Sequence, residues 1–115
     1  MIEKTVLDYL AGQLTGIPVY MEVPVNKPAK FVVIEKTGSS EENYVYRATI
    51  AVQSYANSLF NAANLNESII ELMDDIPDEA EEVSACELNS DYNYTDPETK
   101  QYRYQAVFDL IYLKE

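Results

Sequence analysis

The chain has 115 residues, of which 20 are acidic, 8 are basic and none is histidine, so its formal net charge at pH 7 is −12. An apolar fraction of 47% is typical of a globular chain and predicts one domain over residues 1–115. The lack of histidine excludes Ser-His-Asp and Cys-His catalytic arrangements, and the lone cysteine, Cys86, excludes an intramolecular disulfide.

The amino-terminal half predicts one helix followed by three strands. Residues 3–15 carry apolar side chains at the spacing of one helical face, and Gly16 with Pro18 is a typical stop signal. We expect strands at Val19–Val23, at Phe31–Thr37 and over about ten residues from Tyr44. The two polar segments between these strands, Pro24–Lys30 and Gly38–Asn43, are predicted to be loops.

The carboxyl-terminal half predicts a second helix and two strands. The helix runs from about Ser58 to Asp75, with Asn57 or Ser58 as its N-cap, and ends at Pro77. Strands are expected at Val83–Leu88, extended by Tyr92 and Tyr94, and at Gln101–Leu113. The order α-β-β-β-α-β-β favours an α+β fold, with a mostly antiparallel sheet of about five strands and both helices on one face.

The acidic excess is confined to one part of the chain. No lysine or arginine occurs between Ala48 and Thr99, whereas the rest of the chain balances eight acids with eight bases. The densest part is predicted to form an acidic surface, made of Asp74, Asp75, Asp78, Glu79, Glu81 and Glu82. Such a surface repels phosphate, so we expect no specific binding of DNA and no binding to anionic membranes.

Carboxylates and the cysteine are the remaining candidates for site chemistry. Asp74, Asp75, Asp78 and Glu79 lack the spacing of a calcium loop, and the series Asn89, Asp91, Asn93 lacks its glycine and closing glutamate. We therefore predict a solvated acidic turn, no metal and no cofactor. Cys86 is predicted to be a buried structural thiol, since no histidine can activate it. No enzymatic activity is expected.

Ten tyrosines and no tryptophan make tyrosine the most distinctive residue type. Six of them form three i, i+2 pairs, each expected to present two rings on one strand face: Tyr44 and Tyr46, Tyr92 and Tyr94, Tyr102 and Tyr104. Packing between strands explains such pairs, and so does a protein interface, in which tyrosine offers both area and a polar tip. The interface candidates are Tyr44, Tyr46, Tyr102 and Tyr104.

Taken in order, these elements resemble the small tail-completion and tail-terminator proteins of long-tailed bacteriophages and prophages. The segments that carry the resemblance cover nearly the whole chain: the helix Val6–Leu14, Ile17-Pro-Val-Tyr20, Pro24-Val-Asn-Lys-Pro28, Phe31-Val-Val-Ile34, the strand Tyr44–Tyr55 with the Asn/Ala-rich helix after it, Asp96-Pro-Glu-Thr-Lys100, and the strand from Gln101 to Tyr112. The resemblance implies a structural subunit of a ring, usually hexameric, that terminates the tail tube and joins it to the capsid.

The resemblance also implies partners and a location. The partners are other copies of the chain, the major tail tube protein and the head–tail connector proteins, with DNA passing through the ring. The chain is expected in the cytoplasm of the bacterial host during assembly and then in the virion tail. Docking is predicted to order the two loops, whose candidate residues are Lys27, Ser39, Ser40, Glu41 and Glu42.

A second hypothesis belongs to a different class. The same acidic half is typical of an acidic DNA mimic or inhibitor, which occupies a nucleic-acid-binding partner. A third, weaker hypothesis is an enzyme that uses carboxylates and a divalent cation.

Overall fold

The computed structural model describes residues 1–113. Its elements in chain order are helix α1 (Ile2–Gln13), strands β1 (Val19–Tyr20), β2 (Phe31–Glu42) and β3 (Val45–Tyr55), helices α2 (Leu59–Asp74) and α3 (Ile76–Glu79), and strands β4 (Val83–Asn93) and β5 (Arg103–Tyr112). The predicted order is confirmed, with the short helix α3 added after α2.

The five strands form one sheet in the order β1-β2-β3-β5-β4. Strand β1 pairs with β2 in parallel, and the other three pairings are antiparallel. The α+β class and the mostly antiparallel sheet are therefore confirmed. Both long helices pack on one side of the sheet, which we call the helix-covered face.

The core lies between the helices and the helix-covered face. Side chains of a strand alternate between the two faces, so β2, β3 and β5 each send every second residue into this core. The buried side chains here are almost all aliphatic, with one phenylalanine from the sheet: Ile2, Val6, Leu10, Val32, Ile34, Ala48, Ile50, Val52, Leu65, Ile69, Met73, Ile76, Val83, Ala106, Phe108 and Leu110. Burial of this apolar surface is what holds the helices to the sheet.

Local signals explain the ends of the long helices. The Ser58 hydroxyl accepts a hydrogen bond from the Asn61 N–H at 3.1 Å, which makes Ser58 the N-cap of α2. After α1 the chain turns through Gly16, whose φ of 73° suits a residue without a Cβ. Pro77 was expected to end the second helix, but it lies in the first turn of α3, where a missing N–H costs nothing.

The prediction of a loop at Gly38–Asn43 is wrong. Gly38, Ser39, Ser40, Glu41 and Glu42 continue β2 and pair in register with β3 as far as Val45. Their polar composition suggested a loop, yet the ladder hydrogen bonds to β3 satisfy their backbone.

The hairpin turns only at Asn43 and Tyr44, whose φ values are 52° and 66°. Two consecutive positive φ values are the signature of the tight turn that matches strand twist. Asparagine adopts this conformation readily, whereas it is strained for a bulky tyrosine.

The first predicted strand is also shorter than expected. Strand β1 contains only Val19 and Tyr20, and the chain from residue 21 to residue 30, which we call the β1–β2 connection, is irregular. The chain bends at Met21 and Glu22, directly after Tyr20, so the edge strand ends there.

Candidate functional site

The six predicted acidic residues follow one another along a continuous surface at the end of α2. Asp74 closes α2, Asp78 and Glu79 belong to α3, and Glu81 and Glu82 lead into β4. All six are exposed except the half-buried Glu82, and within residues 1–113 none of them forms an ion pair. We call these residues, with Asp75, the acidic surface.

The effect of the acidic surface on a neighbouring side chain is visible at Tyr9 of α1. The Tyr9 hydroxyl donates a hydrogen bond of 2.6 Å to the carbonyl oxygen of Leu72, which ties α1 to α2. Burial raises the pKa of Tyr9, and the charges of Asp75 and Glu79 raise it further. The phenol therefore stays protonated and keeps donating this hydrogen bond at neutral pH.

No group of three or more acidic or cysteine side chains in the described part of the chain is placed to hold a metal ion. In the series Asn89, Asp91, Asn93, each side chain forms a hydrogen bond with a different partner. Asn89 Nδ2 donates to Asp109 at 3.0 Å, and Asp91 Oδ2 accepts from Asn66 Nδ2 at 3.0 Å. Asn93 Oδ1 accepts the backbone N–H of Thr95 at 3.0 Å.

Tyr44 and Tyr46, which were predicted to share one face of a strand, are separated in the structure. Tyr44 lies in the hairpin turn and is 86% exposed, so it shares no strand face with Tyr46. Tyr46 belongs to β3 and packs its ring against Tyr112, with ring centroids 5.7 Å apart. The physical reason is the tight turn, which removes Tyr44 from the alternation of β3.

The other two pairs lie at the end of the sheet distant from that turn. Tyr104 belongs to β5 and Tyr102 precedes it, and both are half-buried. Tyr92 and Tyr94 pack edge to face, with ring centroids 6.0 Å apart.

The opposite side of the sheet, which carries no helix within residues 1–113, holds a cluster that the sequence patterns did not reveal. We call this side the helix-free face. Phe31 stacks on Tyr55, with ring centroids 4.4 Å apart and planes 9° from parallel, and Tyr20 meets Phe31 edge-on at 6.1 Å. Phe31 and Tyr55 are 3% and 2% exposed. These aromatic contacts fix one end of the helix-free face.

A chain of hydrogen bonds continues from these rings across the sheet. Gln53 Nε2 donates to Gln105 Oε1 at 2.8 Å, and Gln105 Nε2 donates to the Tyr92 hydroxyl at 2.6 Å. Arg103 Nη1 donates to the Tyr55 hydroxyl at 3.0 Å. We call the whole group the aromatic–amide cluster: Tyr20, Phe31, Gln53, Tyr55, Tyr92, Tyr94, Arg103 and Gln105.

Arg103 occupies a special place in this cluster. Its guanidinium lies 4.5 Å from the centre of the Tyr94 ring and 5.7 Å from that of Tyr55, and Nε donates to the Tyr94 carbonyl oxygen at 2.7 Å. The arginine thus links β5 to the chain beyond β4 through a cation–π contact and hydrogen bonds. Gln53 and Gln105 pair across β3 and β5, and both amides are buried.

The remainder of the helix-free face forms a shallow groove of about 460 Å³ near the hairpin turn. Its floor includes a straight row of residues that pair across four strands: Gly38, Thr49, Asp109 and Glu87. A second row, next to the first, contains Ser40, Arg47, Ile111 and Ala85. The groove therefore crosses the strands and does not run along them. Because Gly38 has no side chain, the groove is open at the β2 end of the first row.

Cys86 lies on β4, half-buried against the core. Burial raises the pKa of the Cys86 thiol to about 12, and the charges of Asp74, Asp109 and Glu87 act in the same direction. Burial and these charges therefore disfavour the thiolate, which is the nucleophilic form. The sequence predicted a buried structural thiol, whereas the structure leaves Cys86 half-buried at the margin of the core.

No helix within residues 1–113 has the length and apolar character needed to cross a membrane. The chain matches no protein-family model, and no curated protein has a significantly similar sequence.

Proposed function

We propose that the chain is a structural subunit of a phage or prophage tail. Copies associate into a ring, hexameric by the resemblance in sequence, at the junction of head and tail. The ring terminates the tail tube and joins it to the capsid through the tube protein and the connector proteins.

The observation that carries the proposal is the position of the exposed apolar side chains. Three of the most exposed lie in the hairpin turn, in the β1–β2 connection and in the first turn of α2, and not in an enclosed cleft. Tyr44 in the hairpin turn is 86% exposed and Val25 in the β1–β2 connection is 97% exposed, while Phe60 at the start of α2 is 74% exposed. Exposed aromatic side chains such as Tyr44 and Phe60 are of the kind enriched at protein interfaces.

The acidic surface has a role in this proposal. A ring that presents Asp74–Glu82 from each copy towards its axis repels the phosphates of passing DNA, so that DNA moves through without binding. The basic residues of the described chain lie elsewhere, none of them between Ala48 and Thr99.

Deletion of the gene from the phage or prophage genome that carries it tests the proposal. We expect induced cells to release DNA-filled capsids and separate tails, visible by negative-stain electron microscopy. Supplying the wild-type gene from a plasmid should restore joined particles. Normal joined virions from the deletion strain, or a genome position without head and tail genes nearby, would overturn the proposal.

The acidic surface also favours a second candidate function, an acidic DNA mimic. Its exposed carboxylates without cation partners in residues 1–113 resemble a row of phosphates in charge. Labelled double-stranded DNA bound to a basic nucleoid protein serves as the probe, with release of DNA measured by fluorescence anisotropy. Release by the wild-type chain, lost when Asp74, Asp75 and Asp78 are changed to Asn, would support mimicry. Equal behaviour of the wild-type and substituted chains would exclude it.

A further inference from the structure

Two carboxylates face each other in the groove of the helix-free face. Glu87 on β4 and Asp109 on β5 are directly opposite in the antiparallel ladder, which brings their side chains to within roughly 5 Å at Cβ. Like charges in this position repel each other and destabilise the sheet. Within residues 1–113 neither carboxylate forms an ion pair.

The position of the Asp109 carboxylate is fixed by neutral donors. Thr49 Oγ1 donates to one oxygen at 3.0 Å and Asn89 Nδ2 donates to the other at 3.0 Å. These bonds hold the carboxylate in the row without neutralising its charge. Arg47, the only base that lines the groove, lies in the neighbouring row opposite Ile111 and is exposed. The groove therefore offers a fixed site for one further cation.

The β1–β2 connection has the complementary chemistry. Lys27 is exposed near its centre and forms no ion pair within residues 1–113. It lies between Val25, which is 97% exposed, and Pro28. Pro24 and Pro28 restrict the backbone, which lowers the entropy lost when such a segment is immobilised. An exposed valine and an unpaired lysine on a stiff segment are suited to binding in a shallow acidic groove.

The segment also matches the groove in length. The row from Gly38 to Glu87 crosses four strands, a width of roughly 14 Å at about 4.8 Å per strand spacing. An extended chain covers that distance with four or five residues, at about 3.3 Å per residue. When fully extended, the five residues Pro24–Pro28 are long enough to cross the groove; the free segment bends at Val25 and Asn26, so binding straightens it.

Within one chain, no residue of the β1–β2 connection lines the groove. The β1–β2 connection joins β2 at Phe31, opposite Tyr55, whereas the groove begins at Gly38, opposite Thr49. Seven residues of strand separate the two points, a distance of roughly 23 Å. A connection segment that occupies the groove is therefore taken from a different copy.

We propose that residues 24–28 of one copy lie across the groove of a second copy, with the Lys27 ammonium between Glu87 and Asp109. The contact rests on the proposed function only in requiring that copies associate, and it identifies the surface by which they do so. Each copy then contributes a segment on one side and a groove on another. A contact between two different surfaces produces a closed ring when the rotation between copies closes.

Charge substitutions with light scattering and sedimentation velocity on the full chain test this contact. Lys27→Glu and Glu87→Lys should each weaken self-association at least ten-fold. Lys100→Glu is the matched control, since it makes the same charge change on the exposed turn before β5 and should leave association unchanged. Circular dichroism and thermal melting verify that every variant is folded.

The decisive experiment is to mix the two weakened variants and measure their association. In an equimolar mixture the acidic segment of Lys27→Glu meets the basic groove of Glu87→Lys, while the native segment of the latter meets the native groove of the former. We expect association to return to within about three-fold of the wild-type value. Unaltered association of either single variant, no recovery in the mixture, or a wild-type chain that stays monomeric would overturn the contact.

The outcomes distinguish this contact from the proposed function. An association that ignores both substitutions overturns the contact but leaves a ring built on another surface, and the gene-deletion experiment then still decides the tail role. Joined virions in the deletion strain overturn the tail role, while charge-dependent association would still establish the contact.

Discussion

The two faces of the sheet are both buried at their centres, yet they are stabilised in different ways. On the helix-covered face, Ile50, Val52 and Phe108 pack beneath α1 and α2 in an almost entirely aliphatic core. On the helix-free face, Gln53, Tyr55 and Gln105 are buried with polar groups that must bond to one another. The comparison shows that a sheet of this size can cover one face with helices and the other with its own long side chains. The second solution leaves the rest of that face free for a partner.

The largest effect is expected from a cavity in the helix-covered core. Phe108 is 1% exposed, and Phe108→Ala should lower the free energy of unfolding by about 3–5 kcal/mol, because burial energy and packing are both lost. Urea denaturation followed by circular dichroism measures the change. The matched control is Phe60→Ala, which alters a 74% exposed ring and should stay within about 0.5 kcal/mol of wild type. Equal losses from the two variants would contradict the location of the core.

A smaller effect is expected on the helix-free face. Gln53→Leu or Gln105→Leu leaves the partner amide buried without its hydrogen bond, so each should cost about 1–3 kcal/mol. The double variant removes both amides and should cost less than the sum, with a coupling of about 0.5–3 kcal/mol. Urea unfolding of the four proteins in this cycle gives the coupling. Strict additivity of the two single changes in unfolding free energy would mean that the two amides do not interact. The control is Gln13→Leu, which makes the same substitution at an exposed position on α1.

The smallest effect concerns the single hydroxyl that links the helices of the covered side. Tyr9→Phe removes the hydrogen bond to the Leu72 carbonyl oxygen and should cost about 1 kcal/mol at neutral pH. The pKa of Tyr9 is raised in the folded chain, so its contribution is complete below the ordinary tyrosine value near pH 10 and is lost as the pH rises through the folded value. Stability should therefore fall less steeply above pH 10 in Tyr9→Phe than in wild type.

Unfolding measured from pH 8 to pH 11 checks this pH dependence. Cys86→Ala, measured in parallel, removes the part of the alkaline fall in stability that is due to ionisation of the thiol. Burial raises the pKa of that thiol to about 12. The same alkaline slope in wild type and Tyr9→Phe would show that ionisation of Tyr9 is not linked to folding.

Much of the architecture was predictable from local pattern. The helical spacing around Val6 and Leu10 and the β-branched segment at Val32 lead to the observed elements, because period and propensity agree there. The extension of β2 through Ser39 was not predictable in the same way. Its serines and glutamates favour a turn locally, and only the register with β3 satisfies their backbone as a strand.

The candidate sites differ in the same way, since one could be found from the sequence and the other could not. The acidic surface is contiguous in sequence, so its position could be found from composition alone. The aromatic–amide cluster could not, because Tyr20, Gln53 and Arg103 are distant in the chain and meet only through strand pairing. The burial of the Gln53 and Gln105 amides depends on the neighbours that strand pairing brings beside them.

Composition and periodicity alone established the fold class, the helix-covered core and the segregation of charge, since each depends on residues close in the chain. Tertiary structure decided the helix-free face. It placed Glu87 opposite Asp109, held the latter between Thr49 and Asn89, and left both carboxylates without an ion pair within residues 1–113. The physical reason is that strand register, and not sequence distance, determines which charges become neighbours across a sheet.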